Sequence, residues 1–442
     1  MASGKIGKVT DVSVRKVLGL AFPAMIVLAA EPLYLVVDTA LVGHLGAGQL
    51  AALAIGAIVL AQVSGQFNFL AYGTTGRAAR MYGRHDRAGA VREGVNASVL
   101  AIIIGVVLIV VVELFAHPIA RLLGGNNPVA VAEAAGWMRI AIVGAPGILL
   151  ALAGNGWMRG VQQTRKPTIY VVVAFGISLI LLPIFIYGFG WGLRGSAIAN
   201  VIAQLIGGVL FVRALLREGG TLRPTWAIMK AQLHTGRDLV IRTVALQGAF
   251  AAAAAFAARM SAETLGAHQI GLQIWMLCAL VLDSVAIAAQ SLVGQSLGAG
   301  TSVDALRVAA IISRLGFLAG VILAVLLLLI KPFAPHIFTN DPQVLSQASV
   351  MWWWLAGMQP FAGYVFAQDG ILMGASDVAV LRTFTIIASL IYIPIAFVAL
   401  AQGWGIGGIW FGLSVFIGVR MVLGWWRVRS GRWITPDARE VV

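Results

Sequence analysis

Residues 23–49 read PAMIVLAAEPLYLVVDTALVGHLGAGQ, an apolar run long enough to cross a bilayer that carries two carboxylates, Glu31 and Asp38, and two prolines, Pro23 and Pro32. A spanning helix needs about 20 apolar residues, and an ionised acid near its centre costs roughly 2.5 to 3.5 kcal/mol. Acids in such a place need a reason. Glu31 and Asp38 are seven positions apart, which on a helix means one face and a separation of about 10 Å along the axis. One aqueous cavity can then serve both. Pro32 cannot donate to the carbonyl of Leu28 and its ring crowds that carbonyl, so a bend is expected beside Glu31. Pro23 and Pro32 are the expected bending points of this helix.

The rest of the chain has the same character. Of 442 residues, 60% are hydrophobic and 11% charged, with a mean hydropathy of +0.92. Apolar runs of spanning length recur almost throughout, which leaves no room for a soluble domain and excludes the soluble enzyme classes. Twelve spans are expected near 17–43, 50–73, 94–115, 131–156, 168–188, 194–215, 238–259, 268–294, 309–330, 349–374, 383–402 and 405–426. The net charge of +14 does not point to nucleic acid, because it is distributed as a topology signal. All of the 31 Lys and Arg except Arg121, Arg139, Arg194, Arg259 and Lys331 fall toward one side, which puts both termini in the cytoplasm of a multi-pass cell (inner) membrane protein. Residues 1–16 are polar and basic with no short apolar core before a cleavage site, so no removable signal peptide is expected. The single cysteine, Cys278, and six scattered histidines offer no disulfide within the chain and no metal-ligand spacing.

The two halves repeat one another. Leu45-Gly46-Ala47-Gly48-Gln49-Leu50 recurs as Leu265-Gly266-Ala267-His268-Gln269-Ile270, and Tyr82-Gly83 with Ala90-Val91-Arg92 as Leu297-Gly298 with Ala305-Leu306-Arg307. Asn127-Pro128 answers Asp341-Pro342, Asn155-Gly156 answers Asp369-Gly370, and Trp191-Gly192 answers Trp404-Gly405, so that all the matches lie at offsets of 213 to 220 residues. Six spans separate equivalents, so both repeats have the same orientation and an axis along the membrane normal should relate them. The fold expected is therefore all-α: twelve transmembrane helices in two six-helix lobes related by a pseudo-two-fold. Its parts are a cytoplasmic segment 1–16, an N-lobe 17–215, a cytoplasmic linker 216–237, a C-lobe 238–426 and a cytoplasmic tail 427–442. Asn127 and Asp341 suit helix N-caps, with Pro128 and Pro342 at the first helical position.

Few residues inside the spans can carry chemistry. The acids are Glu31, Asp38, Asp283 and Asp369, with Glu113 near a span end, and Gln290 shares a helical face with Asp283. Low-dielectric surroundings disfavour the charged form of a carboxylate, which suits such groups to proton exchange. No phosphate-binding loop and no zinc-protease or hydrolase signature occurs in the sequence, so an ion gradient is the expected driving force and no enzyme activity is expected. No cofactor is expected; the coupling ion is H+, with Na+ the other possibility. Gln66, Gln273, Gln290 and Trp275 are the expected lining of a substrate cavity, and Phe67, Phe69, Trp352 and Trp353 are further aromatic faces for a flat cation.

Asp38-Thr39-Ala40-Leu41-Val42-Gly43-His44-Leu45-Gly46 after Pro23 resembles the first-span signature of the multidrug and toxic compound extrusion (MATE) family, in its DinF-type branch. Thr74-Thr75-Gly76 with Tyr82-Gly83, Leu282-Asp283 leading to Gly294-Gln295-Ser296-Leu297-Gly298, and Asp369-Gly370 with Gly374-Ala375-Ser376-Asp377 extend the resemblance over nearly the whole chain. It implies two six-helix lobes and export of hydrophobic or cationic small molecules in exchange for protons or sodium. Nothing in the sequence demands more than a monomer in the bilayer, and no nucleic-acid partner is expected. Asp38 then matches the first-span acid whose protonation bends that helix, and Asp283 and Asp369 match acids of the second lobe. The chain departs from the family pattern at Phe175, Ser178 and Leu182, where polar or acidic residues are common, and at Gln290, where an acid is expected. Glu31 supplies a second titratable group in the first span. Two rival functions are a lipid-linked precursor flippase of the same superfamily, which calls for several arginines in the cavity, and an intramembrane enzyme with Asp38 and Asp283 as a catalytic pair.

Overall fold

Two Asx-Pro pairs start helices as their chemistry predicts. The side chain of Asn127 accepts from the backbone N–H of Ala130 at 3.1 Å, and that of Asp341 accepts from Gln343 at 2.8 Å, with Pro128 and Pro342 in the first turn where no N–H is needed. Asp86 and Ser261 cap two more helices through Gly89 and Thr264.

The computed structural model describes residues 14–125, 127–220 and 223–434, and among these every regular element is helical. Most of the expected N-terminal segment (1–13), the last residues of the tail (435–442) and 221–222 of the linker lie outside the described residues. Helix α1 is Val14–Gly43 and stays helical through both Pro23 and Pro32. The second span is two helices, α2 (Ala47–Gln66) and α3 (Phe69–Gly83), broken at Phe67-Asn68. After α4 (Arg87–Gly124), the fourth span is α5 (Pro128–Ala141) and α6 (Ala145–Gly160) joined by the 3-10 turn Ile142–Gly144. Helix α7 (Arg165–Pro183) continues into a π-helical turn, Ile184–Gly188, and α8 is Gly192–Arg217. The second half contains α9 (Trp226–Met260), α10 (Ala262–Gly298), α11 (Ser302–Ile330), the short α12 (Ala334–Phe338), α13 (Pro342–Gly374), α14 (Val378–Ala401) and α15 (Gly405–Arg429).

Among the described residues, 11 helical segments are long and apolar enough to cross a membrane. Helix α13, at 33 residues, is as long as the others but diluted by Gln343, Gln347, Gln359, Gln368 and Asp369, and it makes the twelfth long helical segment. The outward faces are apolar: on α4, Ile103, Val107, Val110 and Leu114 follow helical spacing and are exposed. In water such a stripe would be a liability, and in lipid it is the required surface. The chain is a polytopic helical membrane protein.

Two compact units divide it, Ile26–Gly236 and Met1–Met25 with Arg237–Val442. The same helix contact is built in both. In the first unit, Gly156 and Gly160 of α6 press on the backbone of α3 at Ala71 and Thr75; a Cβ at Gly160 would lie 2.8 Å from the Thr75 carbonyl oxygen. In the second, Gly370 and Gly374 of α13 press on α10 at Ala286 and Gln290; a Cβ at Gly374 would lie 2.6 Å from the Gln290 carbonyl oxygen. Glycine is needed because backbones approach this closely only without a side chain. Both contacts are separated by the spacing of the sequence repeat, so the repeat extends to helix packing.

A buried ionic contact ties the connector to the first unit. Glu93 of α4 receives two bonds from Arg77 of α3, at 2.9 and 3.0 Å, and a third from Gln232 at the start of α9, at 3.0 Å. Gln232 also donates to the Glu93 carbonyl, and the Asn96 side chain accepts from the Thr225 backbone at 2.7 Å.

Candidate functional site

Asp38 lies in the second half of α1 with no exposed surface. One of its carboxylate oxygens, Oδ2, accepts a 3.0 Å hydrogen bond from the Ser196 hydroxyl of α8, and that hydroxyl in turn accepts at 3.4 Å from the Trp137 indole N–H of α5. Its other oxygen, Oδ1, is buried with no donor among the described residues. One turn earlier, the Tyr34 ring packs on Phe175 with centroids 5.4 Å apart, and its hydroxyl faces Asp38, Ser178 and Asn200 outside hydrogen-bond geometry. Asn200, one turn after Ser196 on α8, is also buried, and its carbonyl oxygen has no donor among the described residues. The first unit thus holds a polar cluster on α1, α7 and α8 in which Asp38 Oδ1, Asn200 Oδ1 and the Tyr34 hydroxyl are buried without a hydrogen-bond partner among the described residues.

The site's composition decides what it can hold. Among the described residues, an ionised Asp38 has one neutral hydroxyl as its hydrogen-bond partner, far short of what a buried carboxylate needs. A carboxylate so placed takes up a proton, a cation or a further hydrogen-bond donor. Of the span-five positions, Phe175 and Leu182 are apolar and Ser178 donates to the Ala199 carbonyl at 3.0 Å, while Tyr34, Ser196 and Asn200 supply the other polar groups near Asp38. Sequence reasoning missed these three, although Ser196 and Asn200 lie at i,i+4 in an apolar helix and could have marked one polar face.

Glu31 lies elsewhere on the same helix face. It is half-buried, and its Oε1 accepts from Ser64 of α2 at 3.0 Å. The two acids of α1 therefore engage different neighbours, α2 for Glu31 and α8 for Asp38. Gln66 is half-buried at the end of α2 and donates to Gln62 at 3.2 Å. The Tyr187 hydroxyl of the π turn donates to the Leu41 carbonyl at 2.5 Å, satisfying one of the last carbonyls of α1.

The second unit is different in kind. Asp369 of α13 is buried between two guanidiniums, Arg242 of α9 at 2.5 Å and Arg420 of α15 at 2.6 Å. Sequence reasoning counted both arginines as topology charges, and their position inside long helices was the available signal. Asp283 is half-buried on α10, Gln290 is buried at the α13 contact, and Gln273 is exposed. Trp275 is buried, with Phe250 and Phe366 centroids 5.8 and 6.5 Å away. Of the other aromatics, Phe69 lies against Phe67 in the first unit and Trp352 is fully buried with its indole N–H on the Leu327 carbonyl at 2.7 Å. Trp353 is exposed and already carries a cation, with the Lys331 ammonium 4.1 Å from its ring centroid. Among the described residues no group of three His, Cys, Asp or Glu is placed to hold a metal ion.

Comparison with known proteins bears on the whole chain. The MatE family profile matches residues 23–184 and 239–398. Protein DETOXIFICATION 44, chloroplastic, of Arabidopsis thaliana is 32% identical over 447 residues, covering 97% of this chain and 84% of its own length. DNA damage-inducible protein F of Escherichia coli (strain K12) is 27% identical over 94% of this chain and 92% of its own. In fold, a MOP superfamily transporter from Pyrococcus furiosus superposes with a TM-score of 0.86 at 21% identity, over 94% of this chain and 95% of that one.

Proposed function

The chain belongs to the MatE family, and from that premise we propose that it is a multidrug efflux transporter that exchanges hydrophobic or cationic organic compounds for protons by alternating access. The observation that carries the proton reading is Asp38, a buried carboxylate with one oxygen held by Ser196 and the other without a donor among the described residues. Such a group accommodates one positive charge at a time. A proton and a cationic substrate then compete for it, and competition at one site is what makes exchange obligatory. Substrate arriving at ionised Asp38 supplies the missing charge; a proton arriving from the side of higher proton activity neutralises the carboxylate and removes the attraction. At an effective dielectric of about 20 that attraction is worth roughly 4 kcal/mol at 4 Å, which is enough to change occupancy by about three orders of magnitude.

The remaining residues have supporting parts. Ser196 and Trp137 orient the carboxylate, and Tyr34 and Asn200 border it. Glu31, bonded to Ser64, is a second protonation site on the same helix, and Pro23 and Pro32 are where α1 changes its course when the charge at Asp38 changes. Gln66 lines the approach to this lobe, and Gln273 and Asp283 the approach on α10. Asp369, between its two arginines, holds charge in place and does not carry protons. Phe175 and Leu182, apolar where the family pattern is often polar, support the proton over sodium. No catalytic chemistry is required of any of these groups. The protein acts as a monomer in the cell membrane with both termini in the cytoplasm, a placement supported by the distribution of Lys and Arg.

Binding of a fluorescent cation such as ethidium to the purified protein in weakly buffered detergent tests this. The expected result is proton release on cation binding that rises toward one proton per cation as the pH is lowered from neutral, lost in Asp38→Asn. Cation binding with no proton release, unchanged in Asp38→Asn, would remove Asp38 from the coupling step.

A further inference from the structure

The two halves of the repeat part company at one turn. Gln162, after α6, and Ser376, after α13, are 214 residues apart, and both adopt the left-handed backbone region, with φ of 60° and 57°. The two turns close alike: the Gln163 N–H donates to the Met158 carbonyl and the Asp377 N–H to the Leu372 carbonyl, each at 2.8 Å. Their side chains fare differently. The Asp377 carboxylate accepts from Arg427 of α15 at 2.7 Å. At the offset of 213 shared by the starts of α8 and α15, Arg427 answers Ala214, so α8 offers no guanidinium there. Gln163 stands in the place of Asp377, and its Oε1 is buried with no donor among the described residues. A buried acceptor calls for a partner.

A cavity opens at this turn. It holds about 320 Å³, within the roughly 300 to 1,000 Å³ typical of small-molecule sites. Tyr82, Arg87, Val91, Trp157, Gln163 and Glu218 line it, from the ends of α3, α4, α6 and α8, all within the unit Ile26–Gly236. Trp157 is 2% exposed, and its indole N–H has no acceptor among the described residues. Its ring is held from α4, where a Cβ on Gly94 would stand 2.7 Å from the Trp157 Cγ. The repeat puts Ile371 at the position of Trp157 and Leu297 at that of Tyr82, so these walls belong to the first half alone. Arg87 and Glu218 bond one another, Nε to Oε2 at 2.9 Å, and each neutralises the other's charge.

We propose that this cavity binds a small neutral molecule bearing a carboxamide. The Gln163 oxygen takes an N–H from the ligand, and the Trp157 indole N–H donates to the ligand's carbonyl. Tyr82 and Trp157 give aromatic faces to a flat ring. A ligand with net charge finds no counter-charge, because Arg87 and Glu218 are already paired with each other. The site shares no residue with the Asp38 cluster, and its test does not depend on transport.

The test is saturation-transfer NMR on the full-length protein in detergent, titrated with nicotinamide and, separately, with 3-acetylpyridine, which keeps the ring and carbonyl but lacks the amide N–H. Nicotinamide should saturate, and 3-acetylpyridine should bind about three- to tenfold more weakly. Trp157→Phe keeps the ring without its N–H and should weaken both ligands by a similar factor. Gln163→Met removes the acceptor and should weaken nicotinamide while leaving 3-acetylpyridine unchanged. The pair of ligands needs no variant, so wild type decides even where a variant fails to fold. No saturable transfer from nicotinamide, equal midpoints for the two ligands in wild type, or a nicotinamide midpoint unmoved in both variants overturns the proposal.

Discussion

Replacing Glu93 by glutamine is the sharpest test of how the first unit is held. Glu93 is 4% exposed in its side chain and takes two bonds from Arg77, whose side chain is 18% exposed, and one from Gln232. Breaking a buried ion pair by removing one partner costs about 3 to 5 kcal/mol, because the other charge is left uncompensated. Arg77 retains some contact with solvent, which lowers that cost to about 2 to 4 kcal/mol. For a unit of this size 1 kcal/mol corresponds to roughly 2 to 4 °C, which predicts a fall of about 5 to 15 °C in the apparent unfolding temperature. Scanning fluorimetry in detergent reads it through the tryptophans. The double variant Arg77→Met/Glu93→Leu removes both charges and should recover at least half of the loss. A fall below about 1 °C for Glu93→Gln, or a double variant worse than the sum of the single changes, would refute the electrostatic account and leave Glu93 as a packing residue.

Other expectations follow from the same contacts. Gly160→Val and Gly374→Val each drive a side chain into a neighbouring backbone, at Thr75 and Gln290, and both should abolish a monodisperse peak in fluorescence-detected size exclusion, whereas Gly176→Ala, with open space at its Cβ, should not. Ser196→Ala removes the hydroxyl that, among the described residues, is bonded to Asp38; the ionised carboxylate then depends more on an added positive charge, so cation affinity measured at alkaline pH should not fall and should rise by up to about tenfold. Asp341→Ala deletes a helix cap and should cost about 1 kcal/mol, a few degrees in the same melt, with transport unchanged.

The sequence makes the fold legible because membrane insertion imposes a strong pattern. Span length, the bias of Lys and Arg, and the Asn127-Pro128 and Asp341-Pro342 starts are all local signals. The repeat is a local signal too, and it acquires a physical meaning in the matching glycine contacts of α6 and α13. Three local features are not legible. The break at Phe67-Asn68 and the π turn after Pro183 depend on what packs beside them, and α13 is less apolar than the other long helices because Gln359, Gln368 and Asp369 are buried against protein.

The functional residues divide in the same way. Asp38 stands out from its sequence alone, since a carboxylate in an apolar span is costly anywhere. Its surroundings do not, because Tyr34, Ser196 and Asn200 come from stretches far apart in the chain. Asp369 illustrates the limit most plainly. As a lone acid in a span it looks like a proton carrier, but Arg242 and Arg420, distant in sequence, make it the anion of an ion triad. Trp275 and Trp352 similarly look like stacking faces until their neighbours are known.

The most direct measurement of the central claim is efflux of a fluorescent organic cation from proteoliposomes under an imposed pH gradient, with and without a sodium gradient, in wild type and Asp38→Asn. Transport should be driven by the proton gradient, indifferent to sodium, and lost in Asp38→Asn although the variant folds. Transport that follows the sodium gradient alone, or that survives Asp38→Asn with its proton dependence intact, contradicts proton exchange at Asp38.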